Sequence, residues 1–404
     1  MRALAAALAV LLAAPLGAEE PPAWRAVDLA TGLKQLAADF PDSATLRRRL
    51  LAARLEQGDA DGALETLRWL SARGMVFRTQ TQTQAQIAER IGAAHAAEAA
   101  RLMSAPAQVV TASSVVAELP AEAGLIESVL VSPGTAGAMI ATSVSRRSVF
   151  TGGAGLAWME SPIASAQALS GIVSAPGGKI VWVASGNIVG AQADGARFSG
   201  LIGLTGDMGR FALIPAPEGV TVSDLAAGPD GTVYASDPVN GGVYRAVSGA
   251  RTLEALVPPG TFRSPQGLAV SADGARLYVS DYGYGLALVD LASGAVTRLA
   301  SDISVALDGV DGLWLHDGEL IAVQNGTSPM RISAFALSAG GTRIVGHRVL
   351  EQAHPGWTEP LGGSLHEGAL IYVATGQWDR YDKGQLREGM TALPTTIRRL
   401  PLER

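Results

Sequence analysis

Ser264–Gly294, SPQGLAVSADGARLYVSDYGYGLALVDLASG, alternates short apolar runs with turn residues. Gly267–Val270 is an apolar run, and Ala272-Asp273-Gly274 is a turn signal, because Asp-Gly tolerates the positive φ of a tight hairpin. Leu277–Val279 follows, then a turn over Asp281–Gly285, Leu286–Val289, a turn over Asp290–Gly294, and a fourth run at Val296–Leu299. Strand, turn, strand, turn at this spacing is one blade of an antiparallel meander. One blade cannot bury both of its faces, so further copies are required.

Copies are present. Asp224–Arg245, DLAAGPDGTVYASDPVNGGVYR, has the same apolar run, Asp-Gly turn and Ser-Asp exit. Related segments start at Glu127 (ESVLVSPGTAGAMIATS), Gly171 (GIVSAPGGKIVWVASG), Asp311 (DGLWLHDGELIAVQNG) and Glu359 (EPLGGSLHEGALIYVATG). Their spacing is roughly 45 residues, the period of a four-stranded blade. Six copies predict a mainly β chain: a six-bladed β-propeller over 108–404. Thr395–Leu400 alternates like a late strand of the sixth blade, and 108–117 can lie outside it to close the ring. The polar stretch 380–393 reads as an insertion within that blade.

Upstream the character changes. Met1–Ala18 has one Arg, a short apolar core and small residues before Glu19-Glu20, the pattern of a secretory signal peptide, which predicts a periplasmic or secreted protein. The run is too short to span a bilayer comfortably, and no other segment is long and apolar enough, so no membrane span is expected in the mature chain. Over 27–103 apolar residues recur at helical spacing: Leu29, Leu33, Leu36 and Phe40; then Leu46, Leu50, Leu51 and Leu55 after a cap at Asp42 or Ser43; then Ala63, Leu64, Leu67 and Leu70 up to Gly74. A further Ala-rich helix is expected over 84–103. Pro41–Gly74 is similar to a single tetratricopeptide (TPR) repeat, which makes this module either a cap on the propeller or a groove for a protein partner. With no cysteine there is no disulfide, so stability rests on the core and on closing the ring. The net charge of −6 with no basic stripe argues against nucleic acid as partner.

The residues that open the inner strands of a propeller meet at one mouth of its central channel. Here they are Glu127, a position near Ser170, Ser223-Asp224, Gln266, Asp308 with Asp311, and Glu359. Carboxylates gathered on one axis repel unless protonated or neutralised. A hard divalent cation, Ca²⁺ foremost, takes carboxylate and amide oxygens. His347, His354 and His366 fall elsewhere, so a zinc site of His/Cys type is not expected.

On these residues the chain resembles the regucalcin/gluconolactonase-like six-bladed propellers, and more broadly NHL-like repeats, over about 120–402. The helical N-terminal region, SVSRRSVF, PPGTFRSPQGLAVSADG and HPGWTEPLGG make it look like an exported bacterial subfamily. The resemblance implies a divalent metal held by Glu127, Gln266 and Asp311, with Ser223 helping to bind substrate. Gln266 and Ser223 stand where the family has Asn; Gln adds a methylene, and Ser keeps a single oxygen.

Further substrate-binding candidates are Glu359, the blade-six entry, and Arg146, Asn325 and Trp357, whose plainer readings are a solvated turn, a turn residue and a packed loop. Two functions follow. One is a metal-dependent lactone or ester hydrolase acting on a small molecule at the channel mouth, with Asp224 orienting substrate or serving as general base. The other is a non-catalytic periplasmic binding or scaffold protein.

Overall fold

The computed structural model describes residues 22–24, 32–77, 81–190, 197–205 and 209–403, without the side chains of 81–83, 210 and 211. Segment 1–18, read from sequence as a signal peptide, and residues 27–31 of the expected helical region lie outside the described residues. Among the described residues, no helix is long and apolar enough to cross a membrane.

Six antiparallel sheets form the ring, each a meander from an inner to an outer strand. Blade 4 is the opening stretch itself: Pro265–Val270, Arg276–Asp281, Gly285–Asp290 and Val296–Arg298. At its first turn Gly274 has φ 68°, the left-handed conformation that the Asp-Gly signal anticipates. Blades 1, 2, 3 and 5 begin at Ile126, Ala168, Leu225 and Gly312. Blade 5 gains a fifth strand, because Ala300-Ser301 pairs in parallel with Arg343-Ile344.

Blade 6 is built from both ends of the chain. Gly363–His366, Ala369–Val373 and Thr395–Pro401 are flanked by Ser114–Leu119, so the upstream strand is outermost. It lies slightly later than the expected 108–117. The segment before it docks on blade 5: Val110 pairs with Gln352, and Glu351 Oε1 accepts the backbone N–H groups of Ala112 and Ser113 at 3.0 Å each. The insertion inside blade 6 carries a small hairpin, Tyr381-Asp382 against Gln385-Leu386.

Each neighbouring pair of blades encloses its own apolar core. Val149 and Val183 meet between blades 1 and 2, Ala184 and Val233 between 2 and 3, Val243 and Val279 between 3 and 4. Leu286 and Phe335 meet between 4 and 5, Val323 and Tyr372 between 5 and 6, and Val129 and Ile397 close the circle. The last of these cores makes blade 6 a structural necessity: opening it would expose two faces at once.

Among the described residues five helices precede the ring: α1 (Leu33–Asp39), α2 (Ala44–Glu56), α3 (Ala60–Ala72), α4 (Thr81–Arg90) and α5 (Ala93–Met103). Ser43 caps α2 as expected, its Oγ accepting from Leu46 N at 3.0 Å. The single helix expected over 84–103 is two helices. Gly92, with φ 81°, takes a backbone conformation that no α-helix contains and separates α4 from α5. The module rests on blades 4 and 5. Ser43 Oγ donates to Gly283 O, Val76 N donates to Ser328 O, and both Asp308 oxygens receive the first N–H groups of α2, from Ala44 (2.8 Å) and Thr45 (2.7 Å). These contacts all fall on loops at the end of the ring where the inner strands begin.

Candidate functional site at the channel mouth

Three inner strands break register where they open. Strand pairing skips Glu127 in blade 1, Ser170-Gly171 in blade 2 and Gln266-Gly267 in blade 4. A bulge re-aims side chains that regular alternation would commit to one face or the other. The blades also approach closely here. A Cβ on Gly267 would stand 2.6 Å from Leu313 N and 2.7 Å from Asp311 O, so only glycine lets the blade 4 strand lie against blade 5.

The result is one small polar cavity, lined by Glu127, Ser128, Ser170, Ser223, Asp224, Gln266 and Asp311. Its volume of about 20 Å³ has room for one water or one ion. Glu359 is not in the lining, but its charge acts on Glu127 and that of Asp311 acts on it.

Burial raises all four carboxyls. Burial and then the nearby Asp224 carboxylate raise Asp311 to about 7, against the opposing hydrogen bond from Asn325. Burial raises Asp224 to about 7, with Leu225 N donating to Oδ1 at 2.8 Å in opposition. Burial, then Asp311 and Asp379, raise Glu359 to about 7. Burial, then Asp311, push Glu127 well above the usual carboxylate range, although Trp378 Nε1 donates to its Oε2 at 2.7 Å.

Surrounding side chains hold this cluster in place. Asn325 Nδ2 donates to Asp311 Oδ2 (3.0 Å) and to Pro360 O (3.2 Å), while Tyr282 Oη donates to Asn325 Oδ1 (2.9 Å). Gln266 Nε2 donates to Ser264 Oγ at 3.2 Å, which leaves Oε1 as the amide atom for a cation.

The donor set Glu127, Gln266 and Asp311 is therefore gathered at one cavity, and its oxygens suit a hard divalent cation. Among the described residues, no three His, Cys, Asp or Glu side chains form a cage by themselves, so such an ion must also draw on the Gln266 amide or on hydroxyl and backbone oxygens.

The sequence candidates thus divide. Glu127, Ser223, Asp224, Gln266 and Asp311 line the cavity, Glu359 couples to it electrostatically from outside the lining, and Asn325 binds one of its carboxylates without taking a left-handed backbone. Arg146 does not turn toward it. Its guanidinium forks onto Glu160 of the outer strand of blade 1, at 3.1 and 3.0 Å. Trp357 is also elsewhere, packed against the core between blades 5 and 6 with Nε1 donating to Tyr372 Oη at 2.9 Å. Asp308, read beside Asp311, is a helix anchor. Tyr282 and Trp378 were missed; both follow the second strand of a blade, and the aromatic residues of DYGYG and TGQWD were the available signal.

No family profile matches the chain, and no curated protein does. Among solved structures it is similar to one described as a gluconolactonase (16% identity, covering 72% of this chain and 94% of that one, TM-score 0.47). It is likewise similar to a luciferin-regenerating enzyme (11% identity, 71% and 95% covered, TM-score 0.47). Virginiamycin B lyase from Staphylococcus aureus is comparable (11% identity, 70% and 99% covered, TM-score 0.47). At these identities the likeness is one of fold.

Proposed function

We propose that the channel mouth binds one divalent cation, Ca²⁺ by donor chemistry, and hydrolyses lactones or related esters. The observation that carries this reading is the gathering of Glu127, Asp224, Asp311 and Glu359 at one end of the channel, where burial and mutual repulsion oppose their charge. Such a cluster contributes nothing to folding in its charged form, and perturbed carboxyls in a cleft mark functional sites.

Glu127, Gln266 and Asp311 would hold the ion, with Trp378 and Asn325 fixing the two carboxylates. A bound cation would supply Lewis acidity toward a carbonyl and lower the pKa of water. Asp224, titrating at about 7, can accept a proton from an attacking water at neutral pH and return it to the leaving alkoxide. The Ser223 and Ser170 hydroxyls offer hydrogen bonds to substrate oxygens, although Ser170 Oγ already donates to Ser223 O at 2.9 Å.

Calcium titration of chelator-stripped protein, followed by calorimetry at pH 8, tests the reading alongside a lactone and aryl-ester screen. One-site binding weakened at least ~100-fold in Asp311→Asn, with turnover lost in the same variant, supports it. Absence of binding at millimolar calcium overturns the metal, and calcium binding without turnover of any ester leaves a binding protein.

A further inference from the structure

Where the helical module meets blade 5 it leaves a second, much larger cavity. It measures about 630 Å³ and is walled by Leu51, Leu55, Val76, Phe77, Ile87 and Met330. That size falls within the range of small-molecule sites. It is an open cleft between two bodies rather than a packing void, and most of its walls are apolar.

The walls are fixed on both sides. The Asp308 cap holds the start of α2, and the Val76–Ser328 bond holds the segment after α3. Buried Arg331 ties the two bodies together, with Nε donating to Gln324 Oε1 at 2.9 Å and Nη1 to Arg73 O at 3.2 Å.

Two cations line this space, Arg48 and Arg90, together with the Glu56 carboxylate; Arg90 and Glu56 are exposed to solvent, which leaves Arg48 as the cation set among the apolar walls. Arg48 is half-buried, and burial pushes its pKa down. Among the described residues no carboxylate forms an ion pair with it; its contact is Met75 Sδ, 3.8 Å from Nη2. Asp308, whose charge acts on Arg48, commits both oxygens to the helix cap. A desolvated guanidinium beside an apolar wall complements a molecule with an anionic head and an apolar body.

We propose that this cavity is a binding site for an apolar carboxylic acid, a chain of about ten carbons in size, with its carboxylate on Arg48 and its hydrocarbon against α2, α4 and Met330. The site touches the channel mouth through a single residue: Asn325 borders the cavity and donates to Asp311. The assignment goes beyond the hydrolase reading and stands without it.

The probe is decanoate, titrated by calorimetry into the full mature chain carrying Asp311→Asn, with chelator present, so that the channel mouth plays no part. One-site binding is expected, weakened at least ~10-fold by Arg48→Met, partly restored in Arg48→Lys, and abolished by Ala52→Trp. Ala52 is an exposed residue on the cavity wall, so the new ring fills the space without disturbing a core. Should Arg48→Met fail to fold, Ala52→Trp carries the test. No saturable binding at millimolar decanoate overturns the proposal. So does equal binding of decan-1-ol that ignores Arg48→Met, or decanoate binding that survives Ala52→Trp. Because the channel mouth is disabled throughout, these outcomes are independent of calcium binding or turnover there.

Discussion

The central channel has two ends built from the same six inner strands, and they differ in kind. At one end stand Glu127, Asp224, Gln266 and Asp311 around about 20 Å³. A few residues further along each strand, Leu130, Ile172, Leu225, Leu268, Leu313 and Leu365 line about 270 Å³ at the other. The apolar end is what a propeller core requires, since those side chains leave water and pack against neighbouring blades. The carboxylate end opposes folding wherever its charges are unneutralised. Two regions of one strand set, separated by a bulge in blades 1, 2 and 4, thus serve stability and chemistry respectively.

The largest expected effect lies at the apolar end. Leu313, buried in the core between blades 4 and 5, should cost roughly 2–5 kcal/mol when cut to alanine. Urea unfolding followed by tryptophan fluorescence reads this directly. Calcium affinity of the folded Leu313→Ala protein should stay near wild type. A cost below ~1 kcal/mol would mean that the apolar end is not structural, and the contrast between the ends would fail.

The next effect is of opposite sign. Asp224, Asp311 and Glu359 titrate at about 7 in the folded chain, against roughly 4 when unfolded. The folded state therefore holds more protons between these values, so the contribution of these groups favours folding most at low pH and is lost as pH rises toward 7. With chelator present, Asp311→Asn should gain on wild type in melting temperature as pH goes from 5 to 8, by several degrees at pH 8. Added calcium should raise the wild-type value at pH 8 and barely at pH 5. A wild-type-minus-variant difference that is flat with pH would show that the carboxylates are not coupled.

How much of this contrast was legible beforehand follows from where the information sits. The ring could be read because each blade repeats local turn chemistry, the Asp-Gly turn and the Ser-Asp exit, which needs no knowledge of distant contacts. The outer strand of blade 6 was legible within a few residues because a ring must close. The opening residues Glu127, Asp224, Gln266 and Asp311 followed from the same topology. What could not be read depends on long-range packing. Asp308 looks like Asp311 in sequence, and only the seat of α2 on blade 5 gives it to a helix terminus. Arg146 and Trp357 sit in loops whose side chains can turn either way, and Glu160 and Tyr372 decide it. Tyr282 and Trp378 reach the mouth across neighbouring blades, which no spacing rule reports. The cavity beside Arg48 exists only between two bodies that the sequence shows separately.

The smallest effect tests how finely the charged end is tuned. Trp378 Nε1 donates to Glu127 Oε2, the hydrogen bond that opposes the upward push of burial and Asp311 on that carboxyl. Phenylalanine at 378 keeps most of the ring packing and removes the donor, so Glu127 should hold its proton to still higher pH. A hydrogen bond to a charged group is worth about 1.5–3 kcal/mol, an upper bound here because burial and Asp311 favour the protonated form that this bond opposes. Calcium affinity at pH 7 should then fall by up to ~10-fold in Trp378→Phe, and the gap to wild type should narrow by pH 9, where fewer protons compete with the cation for that carboxyl. A loss of equal size at both pH values would make Trp378 a packing residue alone. An unchanged affinity at pH 7 would place Glu127 outside the ion's shell and leave Asp311, with the Gln266 amide, as the side chains that distinguish this end of the channel from the other.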